Sequence, residues 1–256
     1  MEECSGMIGE NNFLFYNRGR LFINSRVGCL AGCSYCYLDK IGIPKGKVTK
    51  QTYADDIIRA IEKNSKTIWR PRNTFVSFGC YSDPWDDYSK HHTKKIMMFL
   101  DRLGYKATLS TKQPVNLVDL NGLHSLKKKN FYFLISIPFA KEISKMEKGT
   151  GSLHERINSV KVLHQNGFNV AIYIKPFFEK KTAKSLPEII NVLQCIHVPV
   201  ILGRSFVSSF DEKGSKAIIS NSHTLVESES KEYFKIKSIL EEYTKVYENS
   251  FQVFGD

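Results

Sequence analysis

LFINSRVGCLAGCSYCYLDK (residues 21–40) joins a short apolar run, LFINSRV at 21–27, to three cysteines, Cys29, Cys33 and Cys36. The run is apolar, with aromatic and β-branched residues, and stops at Gly28, which predicts a strand delivering its C-terminal end straight into a cysteine-bearing loop. Five similar runs follow: TFVSFG at 74–79, YKATLS at 105–110, FYFLISI at 131–137, NVAIYI at 169–174 and VPVILG at 198–203. Each is followed by a stretch of helical character: Thr49–Asn64, Ser89–Leu103, Val115–Lys128, Ser152–Asn166, Ser185–His197 and Glu229–Tyr247. Ser152 and Glu155 form a capping-box pattern, and Gly104 and Gly167 stand where helices commonly end. Strand and helix thus alternate about six times with no Pro/Gly/Ser-rich linker, which predicts one α/β domain, barrel-like and smaller than an eight-unit barrel. Residues 21–204 are expected to form this core, with 1–20 an N-terminal extension and 205–256 a C-terminal extension whose helix packs on the barrel. No element is predicted from Ser205 to Ser228.

The chain has 256 residues, 42% of them hydrophobic, and 37 Lys+Arg against 26 Asp+Glu give a net charge of +11. That composition excludes disordered, collagen-like and disulfide-framework classes. No apolar run approaches the ~20 residues of a membrane span, and MEECSGMIGENNF at the start lacks a signal-peptide pattern. The expected location is therefore the cytoplasm, where the six cysteines stay reduced and clustering points to a metal or to chemistry.

The spacing is C-x3-C-x2-C. Three thiolates on one short loop can hold three irons of a cubane cluster, leaving the fourth iron for a small molecule. Gly28 and Gly32 suit a loop that wraps closely around inorganic sulfide. Zinc would need a fourth ligand from Cys4, Cys80 or a distant histidine, and no second C-x2-C pair supplies one.

CLAGCSYC resembles the signature of the radical S-adenosylmethionine (SAM) superfamily, with Tyr35 as the aromatic before the third cysteine. SFGCYSDPWDDY (77–88), LSTKQP (109–114) and ISIPFAKEISKMEKGTGSLHERINSVKVLHQNGFNV (135–170) resemble the branch of spore photoproduct lyase and its DNA-repair-photolyase-like relatives. The similarity covers roughly residues 21–180. It implies a partial (β/α)6 barrel with a [4Fe-4S] cluster on Cys29, Cys33 and Cys36, whose unique iron chelates SAM. It further implies that one electron, from a reductant such as flavodoxin or ferredoxin, cleaves SAM to methionine and a 5′-deoxyadenosyl radical that abstracts a hydrogen atom from substrate. Tyr35 and Tyr37, flanking Cys36, match tyrosines that sit by SAM and take part in hydrogen-atom transfer. Ser82, Lys112 and Ser136 match SAM contacts. Cys80 matches a cysteine that donates a hydrogen atom to the product radical. With 28 residues before Cys29, the larger N-terminal region of the lyase is expected to be missing.

The loops after the strands define the active-site face. They carry Lys45, Lys47, Lys50, Lys90, Lys94, Lys95, Lys141, Lys145, Lys148, Lys175, Lys180, Lys181 and Arg204, with Trp85, Phe139, Phe177 and Phe178 among them. Such a mouth would attract a polyanion and offer rings for bases. Asp83, Asp86, Asp87, Glu142 and Glu147 share that face, and TIWRPRN and LKKKN place basic residues on the other, so solubility alone also explains the lysines. His91 and His92 read as solvated helix residues without a metal. Three functions follow: a radical SAM enzyme acting on nucleic acid or nucleotide, in repair or base modification; radical modification of a peptide or small metabolite; or a non-catalytic zinc and nucleic-acid-binding module.

Overall fold

A computed structural model describes residues 13–17, 19–36, 38, 42–124, 126, 130–178, 180–203 and 231–255. In chain order the elements are β1 (Leu14–Asn17), β2 (Arg20–Ile23), β3 (Arg26–Val27), β4 (Lys50–Gln51), α1 (Ala54–Asn64), β5 (Phe75–Phe78), α2 (Ser89–Leu103), β6 (Lys106–Thr111) and β7 (Phe131–Ser136). Then come α3 (Ile143–Met146), α4 (Leu153–Gln165), β8 (Asn169–Ile174), α5 (Lys181–Lys184), α6 (Leu186–Cys195), β9 (Val200–Leu202), α7 (Lys231–Glu241) and β10 (Val246–Tyr247). The main sheet runs β1-β2-β5-β6-β7-β8-β9-β10. Only β1 is antiparallel to its neighbour; the rest pair in parallel. β1 and β10 stand at opposite edges, so the partial barrel is open.

The period of two along each strand sorts its side chains onto two faces. On the convex face Val76, Leu109, Phe133, Ile172 and Leu202 pack against apolar stripes of the helices, among them Ile57 and Ile61 of α1, Leu100 of α2 and Leu163 of α4. On the concave face Leu134, Ala171 and Ile201 form a smaller cluster with Val253, joined by Tyr132 and Tyr173. Ser136 lies two residues beyond Leu134 and therefore faces the concavity, at the C-terminal rim.

Local chemistry fixes the helix ends. Ser152 and Glu155 close a reciprocal capping box on α4, and α2 stops at Gly104 in the left-handed region, φ 80°. The N-cap of α1, Tyr53, offers no side-chain bond. Instead the Ala54 N–H donates to Nδ1 of His92, 3.2 Å away. His92 is thus a half-buried interhelical contact rather than a solvated residue, and burial lowers its pKa.

Three sequence expectations change. The helix expected over Val115–Lys128 is, among the described residues, a short 3-10 turn at Leu117–Leu120. Leu120, Leu123 and Leu126 are buried, and the Leu123 and Leu126 N–H groups donate to carbonyls three residues back. Apolar residues spaced three, not three and four, favour successive 3-10 turns over an α-helix. The first helix begins at Ala54, with Lys50–Gln51 paired to Arg26–Val27 ahead of it. The last helix ends at Glu241: Thr244 donates its hydroxyl to the Val198 carbonyl at 2.8 Å, and the chain continues as β10 beside β9. Residues 204–230 lie outside the described residues.

Candidate active site at the C-terminal rim

β2 delivers the cysteine loop to the rim. At Gly28, φ is +99° and a Cβ would lie 2.3 Å from the Lys47 carbonyl oxygen, so only glycine permits this close return of the loop. The Gly46 N–H donates to the Cys29 carbonyl at 2.7 Å, Gly28 N–H to Tyr81 O at 3.1 Å, and Ser34 N–H to Met146 O at 2.9 Å. The loop is therefore stitched to the segment after β5 on one side and the segment after β7 on the other.

Cys33 is buried, Cys29 and Cys36 partly so. Burial and the neighbouring Asp83 carboxylate push the Cys29 thiol up to about 12, and burial pushes Cys33 to about 11 against the pull of Lys112. Without metal these thiols hold their protons at neutral pH, so loading a metal centre must displace them. Among the described residues no three Cys, His, Asp or Glu side chains share a single-ion position. A cubane asks for a different arrangement, one iron to each thiolate. The donor set, three closely spaced cysteines on one pinned loop, suits it.

Around this loop the expected cofactor residues come from different strand ends. Tyr35 sits edge-on to Phe178 and Phe139, at centroid distances of 5.0 and 6.1 Å, and its hydroxyl donates to Glu147 Oε1. Burial and the Glu147 charge raise its pKa well above the ordinary value, so the phenol remains a donor. Lys112, directly after β6, places Nζ 5.9 Å from the Tyr35 ring centre. Burial would lower the Lys112 pKa, but the negative charge of Glu147 outweighs it and the ammonium is held more firmly charged. Ser136 is buried at the end of β7, and its Oγ has no hydrogen-bond partner among the described residues. Ser82, also buried, and Cys80, half-buried, lie on the segment after β5. Tyr37, Cys4 and Arg204 lie outside the described residues.

Neighbouring residues to which the sequence assigned no role at the site complete the rim. Asp83 accepts from Thr111 Oγ1 at 2.6 Å, Lys112 N–H at 2.8 Å and Trp85 N–H at 2.9 Å, tying the ends of β5 and β6 together. Glu147 and Arg156 form a fully buried ion pair, 2.6 Å apart, directly beneath Tyr35. In the sequence Glu147 read as one more acidic surface residue. The available signal was EKGTGSLHER, where an acid and an arginine bracket a glycine-rich turn.

The rings expected to stack bases do not face solvent: Trp85, Phe139, Phe177 and Phe178 are 1%, 0%, 0% and 4% exposed. Loops returning into an apolar core bury their aromatics, whatever charges flank them. Several mouth lysines are also paired: Lys90 with Asp87 and Asp119 at 3.2 and 3.3 Å, Lys95 with Asp55 at 2.7 Å, and Lys181 with Glu142.

A family model described as spore photoproduct lyase matches residues 21–196, from β2 through α6. The chain belongs to the spore photoproduct lyase family. Among solved structures of the lyase, a mutant with bound AdoMet and dinucleoside spore photoproduct is 18% identical with a TM-score of 0.66, over 90% of this chain and 76% of that one. A cysteine-to-serine mutant of the lyase is 20% identical, TM-score 0.58, over 70% of this chain. The match spans about 55% of that lyase's own length. Streptococcus suis SuiB bound to S-adenosylmethionine shares the fold at 14% identity, TM-score 0.60, over 94% of this chain and 52% of that one. No curated protein sequence matches the chain. Among the described residues no helix is long and apolar enough to cross a membrane.

Proposed function

We propose that this chain is a radical SAM lyase that acts on a thymine-type DNA photolesion, holding a [4Fe-4S] cluster on Cys29, Cys33 and Cys36. The observation carrying the proposal is the family match over 21–196, which includes the cysteine loop and the ends of β5, β6, β7 and β8. The cluster and SAM supply reductive cleavage of the sulfonium and, with it, the power to remove a hydrogen atom from substrate. The chain's own residues bind and orient. Lys112 offers a fixed positive charge to the SAM carboxylate, and Ser82 and Ser136 offer hydroxyls at strand ends. Tyr35 shields the loop, its ring packed between Phe139 and Phe178 and its proton held toward Glu147. Cys80 stands two residues before Ser82 and supplies a weak S–H bond from which the product radical takes its final hydrogen atom. Tyr37 is assigned to the same SAM-side role as Tyr35 on the resemblance alone. The electron comes from a small redox protein of the flavodoxin or ferredoxin kind.

A nucleic-acid substrate is supported by the lyase relative that carries dinucleoside spore photoproduct. The buried mouth aromatics and the paired mouth lysines keep radical modification of a peptide or small metabolite as the second reading. Family membership weighs against the zinc module. The test is anaerobic incubation of the cluster-loaded protein with SAM, dithionite and dinucleoside spore photoproduct. Conversion to the two restored thymines is expected, with Cys80→Ala still cleaving SAM but yielding abnormal adducts. SAM cleavage without conversion of this or any DNA-borne lesion would move the proposal to the peptide or metabolite reading.

A further inference from the structure

Arg156 and Glu147 have fully buried side chains. A buried ion pair is poorly explained by stability, because apolar residues of similar volume often serve as well, so its explanation lies in what it touches. Arg156 reaches back from the first turns of α4 and uses its whole guanidinium. Nε donates to Gly151 O at 2.9 Å, NH1 to the Ser136 carbonyl at 2.8 Å, and NH2 to Thr150 Oγ1 at 2.6 Å. NH1 also meets Glu147 Oε2 at 2.6 Å, while Oε1 of the same carboxylate receives the Tyr35 hydroxyl. Gly151 in turn donates its N–H to the Lys112 carbonyl at 2.9 Å. One pair therefore bonds to Tyr35 on the cysteine loop and Ser136 on β7, and reaches Lys112 at the end of β6 through a single intervening residue.

We propose that the Glu147–Arg156 pair is the positioning hub of the SAM site. Three candidate SAM contacts come from three separate strand ends, and the pair holds them in one geometry without touching the ligand itself. The planar fork of arginine matters here, since it offers fixed donor directions to three acceptors while its charge meets the carboxylate; lysine cannot reproduce that pattern. Supporting groups of this kind typically change affinity or activity 10–100-fold when removed.

The inference rests on the SAM reading, and equilibrium binding separates the two. Cluster-loaded wild-type protein that fails to bind SAM sinks the reading. If it binds, Glu147→Gln is expected to weaken SAM binding about ten-fold at unchanged iron content, with a lowered thermal midpoint because the buried Arg156 charge loses its partner. Arg156→Lys should behave alike. The double variant Tyr35→Phe/Glu147→Met should be no worse than Glu147→Met alone, because methionine removes the acceptor through which the Tyr35 hydroxyl acts. Should single variants misfold, Glu147→Met/Arg156→Met replaces the pair by apolar volume and is expected to fold yet bind SAM at least ten-fold more weakly. Tyr35→Phe, which leaves the pair intact, should itself lose several-fold. Folded, iron-replete variants that bind SAM within two-fold of wild type, or a strictly additive double variant, would reduce the pair to a packing feature.

Discussion

The two ends of the concave face are built on different principles. At the floor, Arg20 donates from Nε to Ser77 Oγ at 2.7 Å and from NH2 to Ser250 Oγ at 3.0 Å, with its guanidinium 4.7 Å from the Phe22 ring. Phe254 closes that end, edge-on to Phe75 and Tyr132 at 5.2 Å each. The floor is finished by the chain itself, with the C-terminal segment as its plug. At the rim, Ser136 Oγ and Asn24 Nδ2 are buried without a hydrogen-bond partner among the described residues, beside a buried ion pair and a charged lysine. Buried polar groups are normally satisfied, and each exception needs a reason, which a bound ligand supplies at the rim under the proposed function. Floor and rim thus separate stability from function along one set of strands.

That contrast can be broken in order of effect. Cys29→Ala, Cys33→Ala and Cys36→Ala should each lose the iron–sulfur absorption and fall to background SAM cleavage, because each thiolate holds one iron; retained cleavage in any of them would break the assignment. Lys112→Met should raise the SAM dissociation constant by one to two orders of magnitude, the worth of a hydrogen bond to a charged group, about 1.5–3 kcal/mol. A binding isotherm superimposable on wild type would remove Lys112 from the ligand set. Phe254→Ala should lower stability by about 2 kcal/mol, less than a fully buried phenylalanine since it is only half-buried, while SAM affinity stays within two-fold. Lost affinity there would mean that floor and rim are one unit. Lys95→Ala removes an exposed ion pair with Asp55 and should leave the thermal midpoint unchanged; a clear drop would show that the outer lysines hold the rim together.

The floor was less legible in the sequence than the sheet that it closes. Each of the six predicted strands contributes to the sheet, because short β-branched and aromatic runs between turn residues carry a local signal, but the first ends there at Ile23, and Arg26–Val27 pair with Lys50–Gln51 in a separate ribbon. β1 and β10 escaped that reading, being four and two residues long and defined by pairing partners distant in sequence. At the rim, the cysteine spacing was visible because three ligands share one loop. Glu147 and Arg156 were not, because a lone acid and a lone arginine look like solvated charges until the fold buries both. The aromatic reading failed for the same reason in reverse: Trp85 and Phe139 sit beside charges in sequence but point into apolar surroundings in space.

Amide hydrogen exchange of the cluster-loaded protein with and without SAM tests the division between floor and rim most directly. Ligand should slow exchange in residues 28–36, 110–113, 136–138 and 147–151, the segments that meet at the rim, and leave 19–21 and 246–255 at the floor unchanged. Slowing at the floor, or none at the rim under saturating SAM, would contradict the account.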